Sequence, residues 1–352
     1  MGTTVDETGR EPPSPRFLGA FYEGPINGRR WEGLRELGED EYRRYVRDAT
    51  MVLGFFSDYE QYEMVRHAYG EYLYLLERQA EALANHLLIS EVGRYQLVHN
   101  INRRLRSFFS EFRVFLDYTE TKLKRRYGRD SAQVATFKEA CSRRFDDSFA
   151  YRFVYKLRNY ALHVDLPLNA MSLASGEGKF DAENPRTHNR LAVRVDRDTL
   201  LNDGFDWGRH VRPGLEKLPP SFELNPIIKE AMHRLEEIHV ELVCSKLDEE
   251  KRAAERILAL ADQVPEPALP CLLRIGGPDE DIVNGYTLNM ERQEGTQGSG
   301  PDRMAMHVEW MPVQSARAIL DLPEPAELSR STGLFLEMIT TTPAGERVDL
   351  PF

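Results

Sequence analysis

Apolar side chains recur at helical spacing through much of residues 40 to 165, and this limits the fold more than any other feature. Leu97, Ile101, Leu105, Phe108, Phe112 and Phe115 step forward by four or three residues. Val65, Tyr69, Tyr72 and Leu76 do the same in an earlier stretch, and Phe149, Phe153, Leu157 and Tyr160 in a later one. A period near 3.6 puts each set on one helix face, and such a face is stable only when packed against another. "YGRDSAQ" supplies a stop at Gly128 and a start at Asp130-Ser131, which divides the second pattern from the third. Three long helices with short links predict a bundle, and the aromatic stripes are its core.

The pattern changes after Leu166-Pro167, because a residue before proline is pushed away from helical angles. Residues 168 to 222 predict a β-containing insertion: Leu191, Val193 and Val195 alternate with polar neighbours, and "EGKFDAENPRTHN" reads as a surface loop. Beyond Pro226 a helical face returns at Ile228, Met232, Leu235, Ile238 and Leu242 and runs to about Ala261. From 263 to 352, Pro and Gly separate short β-rich runs such as "LLRI", "MAMHVEWM" and "GLFLEMITTT". This small region is acidic, and no lysine follows Lys251. Residues 1–39 open with the polar "MGTTVDETGREPPSPR" and predict a disordered or extended leader, not a signal peptide. The expected fold is therefore mainly α: a helical domain over 40–262 with the insertion at about 168–222 and a β-rich extension.

Charge and cysteine usage narrow the function classes. The net charge of -11 argues against a general nucleic-acid coat, though not against a local basic surface. Cys141, Cys244 and Cys271 stand far apart, with no zinc or disulfide spacing, which fits a reducing, cytoplasmic setting. No apolar run reaches the roughly 18 residues of a membrane span. "GTQGSGP" lacks the Lys-Ser/Thr of a phosphate loop.

"YKLRNYALHVDLPL", residues 155 to 168, holds the candidate chemistry. An Arg and a His five apart occur three times, at Arg94/His99, Arg158/His163 and Arg234/His239. At 158 alone a polar residue follows the Arg. Asn159 lies one turn before His163 on the same face, while Arg158 sits about 140° around the axis and reaches back with its long side chain. The proline places His163 in the last turn of the helix. Arg158 could instead pair with Asp165 or Asp147, and His163 could cap helix carbonyls.

"LRNYALH" resembles the Arg-(polar)-x-x-x-His signature of HEPN domains, all-helical modules of which many are metal-independent ribonucleases in toxin–antitoxin, phage-defence and RNA-processing systems. The resemblance spans residues 57 to 168 together with 225 to 262. It implies His163 as general base toward a ribose 2'-hydroxyl, Arg158 on the scissile phosphate, and Asn159 orienting one or the other. It further implies a 2',3'-cyclic phosphate product, no metal or other cofactor, and a homodimer. Family members that keep only the fold act as dimerisation or binding modules, which is the alternative expectation.

A basic row favours RNA as partner. Between residues 94 and 129 stand Arg103, Arg104, Arg106, Lys122, Lys124, Arg125 and Arg126, with Arg94, Arg113 and Arg129, against only Glu111, Asp117 and Glu120. The competing expectation is a solvated face paired with acidic segments, the C-terminal region included; a regulatory partner that displaces such a shield would join the two. Glu236 and His239 have di-iron spacing, but a second pair is missing, and His233 with Glu237 makes only two ligands. "GFDWGRH" reads as a turn with a buried indole.

Overall fold

The computed structural model describes residues 15–23, 30–85, 90–164, 168, 170–177, 187–275, 285–290 and 304–324. "GLFLEMITTT", "GTQGSGP", Asp165 and the first part of the expected leader lie outside the described residues. The chain is mainly helical, with two small antiparallel sheets. No helix among the described residues is long and apolar enough to cross a membrane. The described residues form two compact units, one from residues up to Ser57 with Leu247–Glu324, the other from Asp58–Lys246. Two long helices, α1 (Glu39–Asn85) and α7 (Asn225–Ala261), contribute residues to both units.

The Asp58–Lys246 unit carries the bundle. α2 (Glu91–Tyr127), α3 (Ala132–Asp147) and α4 (Phe149–His163) each begin at a serine whose hydroxyl accepts a backbone N–H three residues on: Ser90 from Gly93, Ser131 from Val134 and Ser148 from Tyr151. Each cap satisfies one orphan donor and is worth about 1 kcal/mol. α2 stops at Gly128, whose φ of 91° suits glycine and whose N–H reaches the Lys124 carbonyl at 3.1 Å. Phe108, Phe109, Phe112 and Phe115 of α2 are buried with Tyr151, Phe153, Leu157 and Tyr160 of α4. Burying each such ring stabilises the unit by about 2–3 kcal/mol.

After α4 the chain forms the insertion. β3 (Ala170–Glu177), β4 (Thr187–Asp196) and β5 (Ser221–Glu223) make a three-stranded antiparallel sheet, with Leu191, Val193 and Val195 buried. Between β4 and β5 lie two short helices, α5 (Arg197–Asn202) and α6 (Gly208–Glu216). Trp207 is buried, donates its indole N–H to the Leu200 carbonyl at 2.7 Å and stacks on Phe153 at 5.5 Å. α6 lies close on α4: a methyl at Gly214 would overlap the Phe149 ring.

The other unit holds a five-stranded antiparallel sheet in the order β2-β1-β6-β8-β7, from β1 (Arg16–Tyr22), β2 (Arg30–Glu36), β6 (Leu269–Ile275), β7 (Gly285–Met290) and β8 (Met304–Trp310). A further helix, α8 (Val313–Leu320), follows β8. One sheet face buries Phe21, Cys271, Leu273 and Val308 with Phe17, Trp31 and Trp310 packed on them. The strands of this sheet come from two stretches far apart in the sequence. Residues 16–22 and 30–36 of the 1–39 leader are strands, and β1 lies beside β6, so strands from both ends of the sequence share this sheet. The physical reason is register: Phe17 faces Leu273 and Gly19 faces Cys271, so closely that a Gly19 Cβ would sit 2.6 Å from Leu273 Cγ.

On the opposite sheet face, Glu309 is buried beside Tyr45 of α1. Burial pushes the Glu309 carboxyl up to about 7, against the opposing effects of the Tyr45 hydroxyl, Arg274 and Arg16. Asp48, also buried, takes two hydrogen bonds from Arg256 at 2.7 and 2.6 Å.

Candidate active site

α4 brings the three motif residues into its last two turns. Tyr151, Val154, Leu157, Tyr160 and Ala161 are buried, and this pins the opposite arc of the helix outward. Asn159 and Arg158 are half-buried, and His163 is exposed. Arg158 Nη1 donates to Asn159 Oδ1 at 3.0 Å. Its Nε is buried and has no partner among the described residues. No described carboxylate pairs with Arg158, Asp147 included. The guanidinium thus keeps donors for an anion, and a planar fork matches phosphate oxygens. Tyr160 donates to Asp203 Oδ2 and so ties this end of α4 to the segment after α5.

The two other Arg-His pairs have different surroundings. His239 is buried and stacked on Tyr62 at 4.2 Å and 5°. Burial, and then the Lys246 charge, lowers its imidazole to about 3. Arg234 pairs with Glu237 at 3.1 Å. His99 stacks against Tyr95 at 6.5 Å, with no polar residue in the position of Asn159. Only the 158–163 set combines an exposed imidazole with a guanidinium held by a neighbouring amide.

The expected RNA-binding row on α2 divides. Arg103, Arg106 and Arg125 are exposed. Arg104 pairs with Glu71, Lys124 with Glu120 at 2.6 Å and Lys122 with Asp58 at 2.6 Å, while Arg126 lies over the Tyr127 ring. Lys122 belongs to a structural knot, since Asp58 also accepts from the buried Lys246 at 2.5 Å. Burial works against the Asp58 carboxylate, yet the two lysines hold it below its usual range. Three of the seven, Arg104, Lys122 and Lys124, are therefore engaged by acids from α1 and α2 themselves.

His233 lies 3.7 Å from Glu236 and 3.6 Å from Glu237, and no cluster of three or more ligating side chains occurs among the described residues.

Sequence reasoning passed over the surface beside the motif. Tyr155, Asn159 and His163 follow at steps of four on α4, and Lys156 lies next to Tyr155. Arg113 of α2 sits over the Tyr155 ring at 4.7 Å. Phe145 at the end of α3 meets Tyr155 edge-on at 6.3 Å and His210 of α6 at 5.9 Å. The i, i+4 steps from Tyr155 were legible, but the approach of Phe145 and His210 depends on how α3 and α6 dock. Set against models of protein families, curated proteins and solved structures, the chain matches none of them.

Proposed function

We propose that this chain is a metal-independent endoribonuclease of HEPN type, with His163, Arg158 and Asn159 as its site. The observation that carries the proposal is the outer face at the end of α4: an exposed His163 one turn beyond an Asn159 that holds Arg158, with no described carboxylate neutralising the guanidinium. His163 takes the proton from a ribose 2'-hydroxyl. The 2'-oxygen attacks the adjacent phosphorus, the bond to the 5'-oxygen breaks, and that oxygen takes a proton from water. Arg158 neutralises the charge that builds on the non-bridging oxygens, the step at which a preoriented donor lowers the barrier most. Asn159 fixes the guanidinium, so less freedom is lost on reaching the transition state. The products are a 2',3'-cyclic phosphate and a 5'-hydroxyl.

By the same resemblance the protein would act as a homodimer within a bacterial defence or toxin-type system; its cysteine usage adds a cytoplasmic setting, and the charge contrast between the α2 row and the acidic C-terminal region adds a regulatory partner. The chemistry is tested with a substrate that lacks its nucleophile. An RNA carrying a 2'-O-methyl at the cleaved position should resist cleavage there while its neighbours are still cut. Cleavage at the methylated position would refute 2'-hydroxyl attack. Absence of cleavage on every unmodified RNA class would turn the reading to a non-catalytic binding or dimerisation module.

A further inference from the structure

We infer that single-stranded RNA reaches the motif along an aromatic and basic track beside it, built by Tyr155, Phe145 and His210 with Arg113, Lys156 and Arg209. The inference rests on the nuclease reading of the 158–163 site and adds the path of its substrate. Tyr155 and Phe145 are half-buried and His210 is exposed, so none of the three residues is closed off from the surface. The rings run in series, at 6.3 Å and then 5.9 Å between centroids. They link α4, α3 and α6, and Tyr155 stands on the α4 face that Asn159 and His163 share by their four-residue steps.

Cations flank the series. The Arg113 guanidinium lies over Tyr155, and its Nε bond to Asp117 at 2.7 Å leaves the outer nitrogens of the fork as further donors. Arg209 donates from Nε to His210 Nε2 at 2.9 Å, which orients the ring. Lys156 Nζ lies 3.4 Å from the Asp206 carbonyl, a weak contact that leaves its charge without a carboxylate among the described residues. Aromatic faces with interleaved arginine and lysine bind unpaired bases by stacking and the backbone by charge, without need of sequence. A duplex keeps its bases stacked inside and cannot use the rings. The geometry therefore favours an unpaired strand over a helix, and the α4–α6 side over the Arg103–Arg106 stretch of α2, where no ring among the described residues is packed in series with the cations.

The test is fluorescence anisotropy on full-length protein with a labelled oligouridylate and a matched hairpin, alongside cleavage of the unlabelled oligonucleotide. Tyr155→Ala should weaken oligouridylate binding about tenfold, and Tyr155→Phe should restore it. Lys156→Ala with Arg209→Ala should flatten the salt dependence by about 1.4 in log–log slope, at roughly 0.7 for each phosphate that is no longer neutralised. Arg103→Glu with Arg106→Glu should leave binding within about twofold of the wild type on the same scale. Binding abolished by the α2 pair and kept in Tyr155→Ala would overturn the track while leaving the His163 chemistry intact. The same holds if the wild type binds and cuts only the hairpin. If no RNA is bound or cut, the track and the nuclease reading fall together.

Discussion

Replacing Glu309 by Gln should make the unit containing the five-stranded sheet more stable at alkaline pH and leave it nearly unchanged at acid pH. The carboxyl is buried beside Tyr45 and is held up to about 7, against an ordinary value of 4.5. A group raised in the folded state stabilises it while protonated, so the contribution is complete below about 4.5 and is lost as pH rises through about 7. The rise from 4.5 to about 7 corresponds to about 3 kcal/mol. Gln keeps the shape and one hydrogen-bonding oxygen and carries no charge to desolvate. Trp31 and Trp310 pack against the core of this unit and Trp207 lies in the other unit, so a Trp207→Phe background makes the fluorescence local. Urea midpoints would be read at intervals between about pH 5 and pH 8. The wild type should lose stability relative to Glu309→Gln across that window. Parallel curves for the two proteins, or a gap that narrows with rising pH, would refute the argument.

The second unit should respond with the opposite sign. His239 is lowered to about 3, so the folded state resists a proton that the unfolded chain accepts near 6.5; stability is complete above about 6.5 and falls by about 4–5 kcal/mol toward pH 3. His239→Gln should flatten that acid limb when unfolding is followed through Trp207, and an unchanged limb would contradict it. Asp58→Asn leaves the buried Lys246 ammonium without its charge partner and should cost about 3–5 kcal/mol in urea unfolding. Gly214→Ala forces α6 off the Phe149 ring and should cost about 1–3 kcal/mol by overpacking, seen as a lower thermal midpoint.

Local pattern carried much of the fold. The helical face after Pro226 becomes α7, Asn225–Ala261, and the Gly128 stop and Ser131 start become the α2 end and the α3 cap. The alternation at Leu191, Val193 and Val195 becomes a buried strand face. What the pattern could not reveal is pairing across long separations. β1 needs β6 as neighbour, with Leu18 opposite Leu272, and seen alone its residues resemble a tail. Which acids engage the α2 basic row was not legible, because those that pair with Arg104 and Lys122 come from α1, at Glu71 and Asp58. The motif itself was legible as spacing, but the exposure of His163 and the bond between Arg158 and Asn159 needed the folded chain.

The central claim is tested most directly by RNA cleavage in excess EDTA, comparing the purified wild type with His163→Ala and identifying the product ends. The account predicts cleavage by the wild type that is indifferent to the chelator, leaves 2',3'-cyclic phosphates and is lost in the variant. Cleavage that persists in His163→Ala, or that stops when metal is removed, would contradict it.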